Sequence, residues 1–182
     1  MTRSAIKHAA LILAACLLLT GCIPVKNVEK AWKDAKADDA LVGTWVDKND
    51  GDGMVGFVQT DKGFLVTSGT SGLEGGCRSI TTNGHKYIII AKFRAAILGF
   101  DNVDDDTKDA TLLRYTVEDD ALTLYTYNQE KITAAVKDKK VPGKIDENDS
   151  ASLNELDAQT IKWLGEIGGE KDGWDEQNYK RK

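Results

Sequence analysis

Residues 78–93 read Arg-Ser-Ile-Thr-Thr-Asn-Gly-His-Lys-Tyr-Ile-Ile-Ile-Ala-Lys-Phe. β-branched and aromatic residues gather on both sides of Asn83-Gly84. That dipeptide tolerates positive φ at both central positions of a tight turn, so the stretch predicts a β-hairpin with arms at 78–82 and 85–93. Tyr87-Ile88-Ile89-Ile90 is apolar on both faces and predicts a central strand covered on both sides. Working outward, strands are expected over 41–47, 54–60, 64–70, 110–117 and 121–127. Gly- and Asx-bearing turns separate them at 49–53, 61–63 and 118–120. Residues 68–76 hold four glycines and predict a loop. Nearly all the joins are too short for crossovers, so the fold class is mainly β (α+β), an antiparallel strand meander.

Helical signals follow the strands. Asn128 is placed to cap a helix running to about 137. Ser152-Leu153-Asn154-Glu155 fits a capping box, with Leu153, Leu156, Thr160, Leu164 and Ile167 marking one face and Gly168-Gly169 stopping the helix. This gives one or two C-terminal helices. Residues 169–182 are polar and read as a loose tail, apart from Trp174 and Tyr179. On the other side of the strands, residues 23–40 are rich in Lys, Asp and Ala. Val25, Val28, Trp32 and Ala35 recur at near-helical spacing, which predicts a short helix over 27–37. That helix either packs on the β domain or belongs to a spacer.

The first 21 residues do not belong to the folded domain. Arg3 and Lys7 give a positive start, Ala9 to Leu19 is unbroken apolar sequence, and small residues precede Cys22. This is the order of a secretory signal, and the apolar run is too short to span a bilayer. Leu19-Thr20-Gly21-Cys22 resembles the lipobox of bacterial lipoproteins. The resemblance implies diacylglycerol on the Cys22 thiol, cleavage before that residue, and acylation of the new amine. Two or three long chains on one residue make a lasting anchor. Ile23 follows where, in Gram-negative lipoproteins, Asp favours inner-membrane retention, so the expected address is the periplasmic face of the outer membrane if the host is Gram-negative. The expected organisation is signal 1–21, lipidated N-terminus and tether 22–40, β domain with helices 41–168, and polar tail 169–182.

Charge and cysteine usage narrow the partners. Of 24 basic residues, two leave with the signal, so the mature chain carries 22 against 29 acidic ones, a net charge of −7. Nothing in that balance offers a footprint for nucleic acid. Cys16 leaves, Cys22 is lipidated, and Cys77 alone remains, so stability must come from the core rather than from disulfides. Asp47 to Gly53 resembles a calcium loop only superficially, because Gly51 stands where a third ligand belongs and no Glu closes the loop. The acidic run around Asp104-Asp105-Asp106 reads as a solvated loop. Cys77 and His85 offer too few ligands for zinc and lack a third group for a catalytic dyad. Nucleophile-elbow, phosphate-loop and zinc-protease motifs are absent. No catalytic residue, metal site or cofactor is expected, and the chain is not expected to be an enzyme.

Gly43-Thr44-Trp45, at the start of the first strand, resembles the G-x-W signature of lipocalin-like proteins. The resemblance implies a small barrel or half-barrel whose base the Trp closes, with an Arg from a late strand over the indole; Arg114 is the candidate, with Arg94 behind it. Seven strands is one short of a full barrel of that kind, so either residues 141–145 supply the eighth or the barrel is incomplete. Val55, Phe57, Leu65, Ile88, Ile90, Leu113, Tyr115, Leu122 and Leu124 either line a space for a small apolar ligand or fill the interior themselves. The leading expectation is a lipid-anchored, periplasm-facing binding module for such a ligand. The alternative is an envelope protein that works by protein–protein contact, through residues 68–76 and the C-terminal tail, with no cavity.

Overall fold

The computed structural model describes residues 22–49, 53–60, 63–68, 73–92 and 108–182. Residues 1–21, the centre of the 49–53 turn, residues 69–72 of the Gly-rich stretch, Arg94 and most of the acidic run lie outside the described residues. Eleven strands occur among the described residues: β1 Ile23–Asn27, β2 Gly43–Asp47, β3 Met54–Thr60, β4 Gly63–Ser68, β5 Leu73–Thr82, β6 His85–Lys92, β7 Lys108–Glu118, β8 Ala121–Tyr127, β9 Gly143–Ile145, β10 Ala151–Leu153 and β11 Trp174–Arg181. Three helices accompany them: α1 Glu29–Asp34, α2 Gln129–Lys137 and α3 Ala158–Ile167, with a 3₁₀ turn at Asp39–Leu41.

From β2 to β8 every strand pairs antiparallel with the next. β11 then pairs with β8 on one side and β2 on the other, so these strands form a ring of ladders. The expected meander is therefore present. Its eighth member is the C-terminal segment that read as a loose tail, not residues 141–145. Alternation explains the misreading. In Trp-Asp-Glu-Gln-Asn-Tyr-Lys-Arg only Tyr179 is buried; Asp175, Glu176 and Lys180 are exposed and the other four are half-buried. The main-chain ladder to two neighbours, rather than apolar content, holds this strand in place. The turn at the heart of the first hairpin is as expected, with φ of 48° at Asn83 and 79° at Gly84.

A second layer covers the outside of the ring. β7 is long enough to serve three neighbours. β6 lies along one edge; on the other, Arg114 to Glu118 pair with β8 and Lys108 to Leu112 pair with β1. β1 continues into β10 by parallel pairing, and β10 into β9. The residues expected to form a tether are thus part of the sheet. Ile23, Val25 and Val28 are buried, and so is Trp32 on α1, which Arg78 of β5 covers at 4.9 Å. Lys36 and Ser79 exchange backbone hydrogen bonds. The near-helical spacing of Val25, Val28 and Trp32 arose from a strand running into a helix, both facing one core.

That outer core joins Ile23, Val25, Tyr87, Ile89, Leu112, Tyr127, Ile132, Leu153, Trp163 and Leu164. Tyr87, Ile88 and Ile89 are each 0% exposed, as expected of a strand covered on both faces. Each such side chain contributes about 1.5–3 kcal/mol on burial. Asn128 caps α2 through its side chain, accepting from Glu130 N and Lys131 N. The second helix begins later than the capping-box pattern implied. Ser152 and Leu153 are spent on β10, and Asp157 caps α3 by accepting from Thr160 N at 2.7 Å. The carbonyls of the last turns of α3 are caught by the hairpin below: Tyr87 Oη donates to Leu164 O, Thr82 Oγ1 to Ile161 O and Asn83 Nδ2 to Gly165 O.

Candidate functional site

The inward faces of the ring meet in a second core: Trp45 from β2, Val55 and Phe57 from β3, Cys77 from β5, Ile88 from β6, Tyr115 from β7, Leu122 and Leu124 from β8, and Tyr179 from β11. Ile90 packs against it. Of the residues expected to line an interior, Val55, Phe57, Ile88, Tyr115, Leu122 and Leu124 are brought together here. Leu113 pairs with inward Ile88 but stays only half-buried and outside the cluster. Leu65 takes the register position opposite Val58 on β3, and its side chain lies outside the described residues.

One end of the ring has a floor. Leu41, on the 3₁₀ turn, is buried in the inner core, and its carbonyl accepts from Trp45 Nε1 at 2.8 Å. Trp45 is fully buried with the Arg181 guanidinium 4.2 Å from its ring centre. Arg181 also donates to Val42 O at 2.5 Å and Ala40 O at 3.2 Å, and pairs with the exposed Asp120. An Arg from a late strand does lie over the indole, but it is Arg181 and not Arg114. Arg114 instead stands on the outer face, over Tyr125 at 4.4 Å and Trp174 at 5.4 Å. Gly43 has φ of +134°, and a Cβ there would come within 2.9 Å of Arg181 Nη1. The glycine of the triplet therefore makes room for the arginine as well as bending the chain.

Beside the floor lies a polar knot that sequence reasoning missed. Asp38 Oδ2 accepts from Tyr115 Oη at 2.6 Å and from Lys86 Nζ at 2.8 Å, and its other carboxylate oxygen accepts from Ala40 N. Burial alone would raise the Asp38 carboxyl, but the hydrogen bonds from Lys86, Tyr115 and Ala40 outweigh it and hold the group below its ordinary value. Tyr115 is pushed well above the usual phenol range by burial and by Asp38. Both shifts keep the donor and acceptor in their bonded forms at neutral pH. Asp38, in a charged and loop-like stretch, carried no sequence signal for this role.

Cys77 and His85 do not form a dyad. Cys77 points inward, where burial pushes its thiol up to about 12. His85 is on the outer face beneath α3, where a Cβ on Gly168 would come within 2.5 Å of its ring. Burial and the nearby Arg114 charge both lower its pKa. Such a thiol is inert and such an imidazole is a packing group. Among the described residues no three His, Cys, Asp or Glu side chains gather as metal ligands, and no helix is long and apolar enough to cross a membrane.

Most of the interior is closely packed: Trp45, Phe57, Cys77, Ile88, Tyr115 and Leu122 are at most 2% exposed. Val42, Ile90, Leu113 and Val117 are half-buried, with Ile90 opposite Cys77 and Leu113 opposite Ile88. Cys22 is half-exposed and stands one residue before β1. No protein family, no curated protein and no solved structure matches this chain.

Proposed function

We propose that this chain is an exported lipoprotein, acylated at Cys22, whose ring of strands is a shallow binding module for an apolar chain. The anchoring half of the reading rests on the order of Arg3 and Lys7, the apolar run, and Leu19-Thr20-Gly21-Cys22. The binding half rests on one observation, the half-buried apolar side chains of Ile90 and Leu113 on the neighbouring strands β6 and β7, beside an otherwise packed interior. The resemblance of Gly43-Thr44-Trp45 to lipocalin-like proteins is supported by the seating of Arg181 on Trp45, which gives each residue of the triplet's Gly and Trp a physical task. A ring of this size accommodates one small ligand or its own side chains. Outer-membrane placement rests only on Ile23 standing where Asp would retain the protein in the inner membrane. Its side chain is fully buried, so packing also requires an apolar residue there.

Mass spectrometry of the protein extracted from envelopes in mild detergent tests both halves. The expected spectrum shows a mature chain starting at acylated Cys22 and, under native conditions, an additional population carrying one acyl-chain adduct. The adduct should vanish in Leu113→Trp, which places an indole across the half-buried zone. A bare Cys22 overturns the anchor; an adduct that survives in Leu113→Trp, or is never seen, overturns the binding site.

The packed floor also favours a second reading, a module that works by surface contact alone. Its distinguishing result is a protein partner captured by crosslinking in cells from a Leu113→Trp chain as efficiently as from the wild type.

A further inference from the structure

A lipid anchor usually leaves a folded domain free to swing, because a stretch of unstructured residues separates the acylated Cys from the first element. Here that stretch is missing. β1 begins at Ile23, the residue next to Cys22, and four register pairs tie it to β7 and one to β10. Ile23 and Val25 are 0% and 1% exposed. Pulling even three residues of β1 out as a tether would expose both and break that ladder, which makes it an unfavourable source of slack.

The position of Cys22 is equally defined. On one edge of β7, Arg114 pairs with Tyr125 of β8 and Leu112 pairs with Ile23 of β1. Cys22 therefore falls at the junction where β1 takes over from β8, at the register of Leu113. The elements that start there are richer in lysine than the rest of the chain. Residues 22–36 hold Lys26, Lys30, Lys33 and Lys36, all exposed, against Glu29, which pairs with Lys33 at 3.0 Å, and Asp34; Glu155 and Asp157 line the groove beside α1, in a mature chain whose net charge is −7. Exposed lysines beside an anchor are attracted to anionic headgroups, while the acidic remainder is repelled.

We infer that the acylated protein is seated directly on the bilayer, without a spacer and in a fixed orientation, with the β1–α1 lysines toward the headgroups and the β7–β8 turn away from them. The inference rests on acylation of Cys22. It also adds to the binding proposal: half-buried Leu113 then lies at the membrane side of the ring, so the apolar chain it would contact is one drawn from the same bilayer.

The test is energy transfer from a fluorophore on the full lipidated protein to acceptors on the headgroups of phosphatidylethanolamine–phosphatidylglycerol vesicles. Single labels go on Glu29→Cys, near the lysines, or Glu118→Cys, at the far turn; Cys77 is buried and takes no label. A second pair of proteins carries ten Gly/Ser residues inserted between Cys22 and Ile23, which adds a mean reach of about 16–19 Å. Transfer from position 29 should exceed that from position 118 at least two-fold in the native chain, and the insertion should erase the difference. Changing the four lysines to Gln should reduce the contrast while leaving the ladder intact. Intact-mass analysis of the same samples separates the two levels. A bare Cys22 overturns the anchor and this inference together. An acylated Cys22 with equal transfer from both positions, or with transfer at position 29 unmoved by the insertion, overturns the seating alone.

Discussion

Arg181 carries the closure of the ring, and its removal has a magnitude that can be worked out. Its guanidinium lies 4.2 Å from the centre of a fully buried indole. Stacking of that kind, partly desolvated, contributes about 1–2 kcal/mol. The bond to Val42 O at 2.5 Å has a charged donor and contributes about 1.5 kcal/mol more; that to Ala40 O is longer and exposed and contributes less, about 0.5 kcal/mol. The pair with Asp120, which is 83% exposed, adds little. Arg181→Ala should therefore cost about 3–4 kcal/mol, a large part of the stability of a domain this size. With a urea slope of about 2 kcal/mol/M, the unfolding midpoint should fall by about 1.5–2 M. Arg181→Lys should recover less than half, since an ammonium cannot stack and reach both carbonyls together. Asp120→Ala should leave the midpoint nearly in place. Equilibrium urea denaturation followed by tryptophan fluorescence measures all three. An Arg181→Ala midpoint within about 0.3 M of the native value would refute the account of the floor, whatever the other variants did.

Other predictions follow from single side chains. Cys77, 1% exposed and with its thiol pushed up to about 12, should be untouched by a thiol reagent at pH 8 in the native state and react fully in urea; rapid labelling of native protein would contradict its inward placement. Among the described residues the buried Thr160 hydroxyl has no hydrogen-bond partner, so Thr160→Val should be neutral or stabilising by about 1 kcal/mol, and a loss of thermal stability would show that the hydroxyl has a partner after all. The Asp38 carboxyl is held below its ordinary value of 3.8, so its contribution is present above that pH and is lost as pH falls through the lower folded value. Acid titration of stability should thus be shallower below pH 3.8 in Asp38→Asn than in the native chain; parallel curves would remove Asp38 from the account.

The sequence was most legible where one residue type has one physical use. Asn83-Gly84 located the hairpin because few other dipeptides take positive φ twice, and the apolar run at Tyr87 to Ile90 announced a strand covered on both faces. Six of the seven strands of the meander stand where alternation and turns placed them, within a few residues; β5 begins at Leu73, five residues early, so Leu73 to Gly76 of the expected glycine-rich loop are strand, held by backbone pairing with β4 and β6 rather than by side-chain pattern. Reading failed where tertiary partners supply what local pattern does not. β11 has few apolar side chains, yet two neighbouring strands satisfy its backbone. The Ser152 capping box was overridden by pairing of Ala151 to Leu153 with β9. The Lys- and Asp-rich stretch after Cys22 looked solvated because its apolar residues are sparse, although Ile23, Val25, Val28, Ala31, Trp32 and Ala35 are all buried. In the interior, Val55, Phe57, Ile88, Tyr115, Leu122 and Leu124 do gather in one core. The floor was half legible: Gly43 and Trp45 could be singled out, but their arginine comes from 136 residues beyond Trp45, and only the three-dimensional ring brings it there.

That distance has a consequence for how the molecule comes into being. The strand that seals the ring follows every other strand of the ring along the chain, and the contact that locks it joins residue 181 to residue 42. Until that strand is made, β2 and β8 both keep an open edge, and the indole at the base has no lid. Contacts so remote along the chain form slowly. A nascent chain of this design stays pliable until its ring-closing strand arrives.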